Sequence, residues 1–376
     1  MRKLIILVLA LCLVLHPSPA LSDEQYFEHT SDGVYTIVNE TDPGEVIFTT
    51  GMTVTVGDQY QTADDRLFEV VRVDEENRRG EARFVEKVVL DSPRLLSILE
   101  AISSGKASMM ARENGVTVGI YQTHTAESYV PSQGRESIRG NGGILQVGKA
   151  AAEALQAAGA RAIYSDNKHD PHDAAAYSRS RRTAQALLKQ GSAALLDVHR
   201  DAGGGAQVYT SDVHGERMAQ IRLVVGRQNP NMQANKQFAQ EIKRVTDEQH
   251  PNLIKGIFFA RGGYNQDLTP RNLLLEVGNE SVTLQNAKDG VSLFAKAYAQ
   301  YLGASIGGAG EGGRRESSAG TVALGWILGL VAIGGIAFLF LSTGNREELL
   351  SKARTFFSRE FGDLLRQGDD PRKRDR

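Results

Sequence analysis

Apolar runs that alternate with helical segments between residues 113 and 303 constrain the fold more than any other feature of this chain. Five short apolar runs are typical of buried strands, at 116–120, 161–164, 193–198, 221–225 and 273–277. The spacing of apolar residues predicts helices between and after them, at 143–158, 174–190, 235–249 and 284–302. Strands that alternate with helices predict an α/β domain with a mixed, largely parallel sheet flanked by helices.

Polar residues follow three of these runs at the point where each strand is expected to end. His124 comes just after the first run, His199 ends the third, and Glu276 follows Leu273–Leu275. Ligands of open α/β sheets bind beyond the carboxyl ends of the strands. Two histidines and a carboxylate in such places therefore predict a metal site in which His124 and His199 are ligands.

The third ligand is left open by the spacing. Zinc in a hydrolase needs about three protein ligands and one open position. The only cysteine is Cys12, in a segment expected to be removed, so the ligands should be histidine and carboxylate. Glu136 is the slightly preferred third ligand. Glu127 is the alternative, either as a ligand or as a carboxylate that holds a ligand histidine in place.

Two further groups next to these histidines are candidate catalytic residues. Glu276 near zinc would act as a general base, and the alternative is a buried structural salt bridge. Arg200 would bind a substrate carboxylate or stabilise an oxyanion, while Asp201 would orient a histidine. His169 and His172 form a second histidine pair in a segment containing proline, which predicts an exposed loop.

The remaining segments predict the organisation of the chain around this domain. Seven parts are expected: a signal peptide at 1–22, a small β-rich module at 23–90, a helical connector at 91–112, a catalytic domain at 113–303, a Gly/Ser linker at 304–320, a transmembrane helix at 321–341 and an amphipathic cytoplasmic tail at 342–376. This order predicts a single-pass protein of the cell membrane with an extracytoplasmic catalytic domain. A net charge of −2 gives no indication of nucleic-acid binding.

Ordered motifs between about residues 115 and 303 resemble stage II sporulation protein P, a family of membrane-anchored peptidoglycan hydrolases of endospore-forming bacteria. The motifs that carry the resemblance are Tyr121-Gln-Thr-His-Thr-Ala-Glu-Ser-Tyr129, the segment 170–181, Leu196-Asp-Val-His-Arg-Asp-Ala202, Val225-Gly-Arg-Gln-Asn-Pro-Asn231, Tyr264-Asn-Gln-Asp-Leu268 and Leu274-Leu-Glu-Val-Gly278. The family is similar to zinc-dependent N-acetylmuramoyl-L-alanine amidases.

The resemblance implies a zinc amidase that cuts between the glycan and the stem peptide during engulfment. It implies that His124 and His199 bind zinc, that Glu276 is the catalytic glutamate, and that Glu136 is favoured over Glu127 as third ligand. The family is also credited with cutting peptide cross-links, and a lytic transglycosylase and a polytopic membrane protein are its implied partners. A non-catalytic scaffold that binds the cell wall is the alternative function, and a zinc peptidase with another substrate is a weaker one.

Overall fold

The computed structural model describes residues 30–173 and 175–307, which lie in one compact unit. Its strands are β1 (Thr30–Asn39), β2 (Val46–Met52), β3 (Gln59–Thr62), β4 (Arg66–Asp74), β5 (Arg79–Lys87), β6 (Thr117–Tyr121), β7 (Arg161–Tyr164), β8 (Ala194–Asp201), β9 (Thr210–Val213), β10 (Glu216–Ala219), β11 (Ile221–Gly226), β12 (Ile254–Ala260) and β13 (Asn272–Asn279). Its helices are α1 (Pro93–Ser103), α2 (Ala107–Glu113), α3 (Val130–Gln133), α4 (Ile144–Ala157), α5 (Ala176–Lys189), α6 (Met232–Gln249) and α7 (Leu284–Gly307).

Eleven of the strands form one sheet in the order β2-β1-β5-β4-β3-β12-β11-β13-β8-β6-β7. The run β13-β8-β6-β7 is parallel throughout, so the carboxyl ends of β13, β8 and β6 meet at one edge. The β11–β13 and β12–β3 pairs are antiparallel, which makes the sheet mixed. This parallel run is the part of the sheet that can gather the polar residues found after its strands.

The strands β6, β8 and β13 bury side chains on both faces, so both faces of this part of the sheet are covered. Alternate residues of β6, β8 and β13 pack on one face against α4, α6 and α7 in the main apolar core. The opposite residues of β6 and β8 contact α5 through a smaller cluster that includes Tyr121, Leu187 and Leu195. His199 and Glu276 point to this second face, since the residues beside them in each strand belong to the main core.

The strands β1–β5, in the segment expected to form a β-rich module, continue the sheet of the α/β domain. β3 pairs with β12, and the aromatic rings of Phe48, Tyr60 and Phe258 pack together over the second face of the sheet. The sheet curls until β2 reaches the end of β8, where a Cβ added at Gly51 would lie 2.5 Å from the Cβ of Ala202. Glycine is needed at this close approach. β2 therefore borders the end of β8, where Thr50 and Gly51 donate hydrogen bonds to Asp201.

The structure does not bear out the expected transmembrane helix at 321–341 or single-pass anchoring, and that segment lies outside the described residues. Within residues 30–173 and 175–307, no helix is long and apolar enough to cross a bilayer. α7 has 24 residues, enough to span, but it carries charged side chains such as Lys288, Asp289 and Lys296 and packs its apolar face into the main core. The segments 1–22, 304–320, 321–341 and 342–376, apart from the first residues of the linker, lie outside the described residues.

Candidate metal centre

His124 and His199 lie side by side at the carboxyl edge of the parallel strands. His199 is on β8 and His124 is on the turn that follows β6, and their ring centres are 5.1 Å apart with planes at 84°. Glu276 is the residue of β13 paired in register with His199. All three side chains are buried, with His199 at 0% and Glu276 at 1% exposure. The structure thus brings together the three residues that the sequence places at separate strand ends.

Glu127, and not Glu136, has its carboxylate beside the histidines. Glu127 is buried, its Oε1 is 3.7 Å from Nδ1 of His199, and its Oε2 accepts a hydrogen bond of 3.0 Å from the backbone N–H of Arg200. The side chain of Glu136 is exposed, and only its backbone carbonyl takes part locally, by accepting hydrogen bonds from Ser128 and Arg200. The cluster of His124, His199 and Glu127 is called the two-histidine cluster below.

Two distances in this cluster fit zinc. Two imidazoles that bind one tetrahedral zinc through bonds of about 2.0–2.1 Å have ring centres about 5 Å apart. The rings of His124 and His199 have that separation. A carboxylate oxygen and an imidazole nitrogen on the same ion would lie about 3.4 Å apart, close to the 3.7 Å between Glu127 and His199.

The donor chemistry fits as well. Among the described residues, Nδ1 of His199 is a buried ring nitrogen with no hydrogen-bond partner, and it faces the carboxylate of Glu127. Imidazole and carboxylate are the ligands that zinc takes when no thiolate is present. No set of three or more His, Cys, Asp or Glu side chains in the described ranges could hold a metal ion as it stands. The separations of the pairs His124–His199 and Glu127–His199 therefore suit zinc, but the three side chains do not together have the geometry of a tetrahedral site.

Asp197 supports both histidines from beneath the cluster. Its Oδ1 lies 3.0 Å from Nε2 of His199, although the ring is turned out of hydrogen-bond alignment. The same oxygen accepts the backbone N–H of Thr123 at 2.8 Å, and Oδ2 accepts the Thr123 hydroxyl at 2.6 Å. Thr123 precedes His124, so one buried carboxylate holds the backbone next to His124 and faces the ring of His199. Carboxylates in this position orient metal-bound histidines and raise their basicity.

The charges of the cluster favour a cation at its centre. Burial works to lower the pKa of His199, but the carboxylates of Asp197 and Glu127 outweigh burial and raise that pKa well above 6.5. Burial works in turn to raise the pKa of Glu127, whereas the charge and hydrogen bonding of His199, followed by the charge of Arg200, bring it below 4.5. Two buried carboxylates around His199 therefore stabilise positive charge, which a proton or a metal ion can supply.

Arg200 and Asp201 bind parts of the protein rather than the cluster. The guanidinium of Arg200 donates to the backbone carbonyls of Ser128, Glu136 and Asp201. Asp201 accepts from Thr50, Gly51, Ala202 and Tyr209, and it forms an ion pair with Arg222, whose side chain is fully buried. Arg200 thus holds the loop that contains Glu127, and Asp201 ties β8 to β2 and β11.

The two histidines of the 169–173 loop have separate environments. His169 is buried, donates through Nδ1 to the carbonyl of Gln122 at 2.7 Å, and lies 2.8 Å through Nε2 from the hydroxyl of Thr183. Burial lowers its pKa. His172 is exposed, and its ring stacks on that of His124 with centres 3.8 Å apart and planes at 14°. His172 therefore borders the two-histidine cluster.

Sequence reasoning did not single out Asp197 or Tyr177 as site residues. Asp197 lies two residues before His199 on the same strand, and residues at i and i+2 share one face of a strand. The sequence position of Asp197 therefore indicates that it lies on the same face as His199. Tyr177 is buried and its ring lies edge-on to His124, with centres 5.6 Å apart. It comes from α5, and no local pattern indicates which strand end that helix faces.

A family model described as stage II sporulation protein P matches residues 54–299. A curated relative, stage II sporulation protein P of Bacillus subtilis (strain 168), is 28% identical over 202 residues, which is 49% of this chain and 50% of that protein. The chain therefore matches about half the length of this relative.

Two similar solved structures are N-acetylmuramoyl-L-alanine amidases. The enzyme of Mycobacterium smegmatis is 16% identical and has a TM-score of 0.33, with 52% of this chain and 98% of that chain covered. The enzyme of Clostridium difficile 630 is 15% identical with the same TM-score, with coverages of 50% and 95%. At these identities and TM-scores the likeness carries no inference about activity.

Proposed function

Since the chain belongs to the stage II sporulation protein P family, we propose that it is a zinc-dependent peptidoglycan hydrolase. The bond cut is the amide between the lactyl group of N-acetylmuramic acid and the L-alanine of the stem peptide. The observation that carries the proposal is the two-histidine cluster, with His199 5.1 Å from His124 ring to ring and 3.7 Å from Glu127. A buried glutamate, Glu276, stands next to His199 in the sheet.

His124, His199 and Glu127 would hold the zinc ion. Glu127 is preferred to Glu136 here because its carboxylate is buried beside His199, while that of Glu136 faces solvent. Zinc bound there would supply Lewis acidity, which polarises a substrate carbonyl and makes water nucleophilic at neutral pH. Asp197 would hold His199 in the orientation that presents Nδ1 to the site.

Glu276 would move the proton during hydrolysis. Glu276 is buried in β13 and is paired in register with His199, so its side chain lies on the face of the sheet that carries the two-histidine cluster. In the reaction it takes the proton from the attacking water and then gives it to the amine that leaves with the stem peptide. Both transfers occur at the same carboxylate, so its removal should abolish turnover without removing the zinc ligands.

The proposal is tested with four variants of the full chain on purified peptidoglycan, with products identified by mass spectrometry. Glu127→Gln should lose zinc and activity, whereas Glu136→Gln, its matched control, should keep both. Glu276→Gln should bind zinc like the wild type and release no stem peptide. His199→Ala should lose both properties. An active Glu276→Gln variant would exclude the proposed proton transfer, and an inactive Glu136→Gln variant would return the ligand role to Glu136.

Cutting of peptide cross-links, a lytic transglycosylase partner and a polytopic membrane partner stay predictions from the family resemblance. The same mass spectra address the first of them. New amino groups on L-alanine mark the amidase reaction, and new amino groups within the stem peptide mark an endopeptidase. The role of Arg200 as an oxyanion-stabilising group also stays a prediction. In the structure its guanidinium donates to three backbone carbonyls.

A further inference from the structure

The 169–173 loop places His172 against the two-histidine cluster. Its imidazole lies flat on the imidazole of His124, with centres 3.8 Å apart. Two further rings lie near that of His124, the edge of Tyr177 at 5.6 Å and the ring of His199 at 5.1 Å. Tyr177 and His199 are buried, whereas His172 is exposed. Of these three rings, that of His172 is therefore the one that solvent, and a substrate arriving from solvent, can reach.

The loop that carries His172 is anchored on both sides of His124. His169 donates to the carbonyl of Gln122, two residues before His124. Asp170 accepts hydrogen bonds of 3.0 Å from the hydroxyl of Thr125, the residue after His124, and from the backbone of Gly140.

Arg179 holds the loop from the side of α5. Its guanidinium donates to the carbonyls of His169 and Pro171 and to the carboxylate of Asp173. Exposed loops normally have few such bonds and are mobile. Anchors on each side of His172 therefore place its ring relative to His124 rather than leaving it free in solvent.

We infer that His172 is a further catalytic residue that donates its ring N–H to the carbonyl oxygen of the amide being cut. This inference rests on the proposed function. Hydrolysis of an amide builds negative charge on that oxygen, and a fixed donor at this position stabilises it. The ring of His172 is exposed, lies against the ring of His124 and is positioned by an anchored loop, so it borders the place where the substrate amide would bind. A neutral imidazole with one N–H is sufficient for this role.

Two substitutions of His172 separate hydrogen-bond donation from packing. His172→Phe keeps a flat ring that can stack on His124 but has no N–H. His172→Gln loses the ring but keeps an N–H donor. Removal of one donor of this type lowers kcat by about 100-fold. We expect His172→Phe to show that loss at little change in KM, and His172→Gln to lose clearly less. His214→Gln, a change of an exposed histidine on the turn between β9 and β10, is the control and should retain full activity.

Zinc affinity of the metal-free protein, measured by competition with a chromogenic chelator, is the second readout. It should stay within about threefold of the wild type in both His172 variants, because the role assigned to His172 is towards substrate. A His172→Phe variant with nearly full kcat would overturn the inference and leave the proposed function intact. A large loss of zinc affinity would also overturn it, by making His172 a metal ligand. A wild-type protein that releases no product would refute the proposed function and this inference with it.

Discussion

Replacement of Asp197 by asparagine should weaken zinc binding without unfolding the protein. Oδ1 of Asp197 lies within 3.0 Å of two nitrogens, on His199 and on the backbone of Thr123, so the asparagine oxygen should occupy that position. The new amide N–H₂ then faces the hydroxyl of Thr123, which can accept instead of donate. The fold keeps its hydrogen bonds, and the change at His199 is the loss of one negative charge.

The size of the effect follows from that lost charge. Outer-shell carboxylates of metal-bound histidines contribute about 10- to 100-fold in metal affinity, which corresponds to about 1.4–2.7 kcal/mol. Competition titration of metal-free protein against a chromogenic zinc chelator measures this change directly. Asp212→Asn, at an exposed position on β9, is the matched control and should bind zinc like the wild type. Wild-type affinity in Asp197→Asn would refute the orienting role of this carboxylate.

Two further predictions concern stability. Asp201→Ala should lower the free energy of unfolding by about 3–5 kcal/mol, because it leaves the buried guanidinium of Arg222 without its carboxylate. Urea unfolding should show that loss, and a change below 1 kcal/mol would contradict it. The surface control Asp212→Ala should change the free energy of unfolding by less than 1 kcal/mol. For the half-buried His250, burial, followed by Coulombic interaction with His214 and Lys296, lowers the pKa to about 4. The unfolded chain, with a pKa near 6.5, therefore binds a proton that the folded chain does not, and stability falls as the pH drops from 6.5 towards 4. His250→Gln should reduce this fall in urea midpoints measured at pH 7 and pH 5, and equal slopes in the two proteins would exclude the effect.

The strand ends of the site could be predicted from the sequence because they depend on local pattern. Apolar runs that stop at a polar residue mark both the strand and the point where it leaves the core. His124, His199 and Glu276 are predicted as site residues in this way. Their approach to one another also needs the strand order β13-β8-β6, which no local pattern specifies. The register that pairs Glu276 with His199 is a property of the folded sheet.

The choice between Glu127 and Glu136 could not be made from spacing. Both lie in irregular backbone after β6, where no periodicity indicates which side chain turns inward. The turn depends on long-range bonds, in particular the hydrogen bond from the backbone of Arg200 to Glu127 and the bond from its guanidinium to the carbonyl of Glu136. Arg200 is more than sixty residues away along the chain.

The order of the strands in the sheet could not be predicted from the sequence for the same reason. The short strands before residue 90 have clear apolar alternation, which indicates strands but not their partners. β3 pairs with β12, almost two hundred residues further along the chain. β12 is not among the strands predicted from the sequence. Gly256 and the mixed polar residues around 250–256 interrupt the apolar pattern there. The contact of β2 with the end of β8 was equally non-local.

The most direct test of the central claim is the digestion of purified peptidoglycan by the full chain, first with zinc and then with a chelator in excess. Mass spectrometry of the released material identifies the bond that is cut. A zinc amidase releases intact stem peptides with free L-alanine amino groups, stops when the metal is removed, and recovers when zinc is restored. Release of the same peptides at an unchanged rate in the chelator would contradict the metal, and binding to peptidoglycan without any release would contradict the hydrolase.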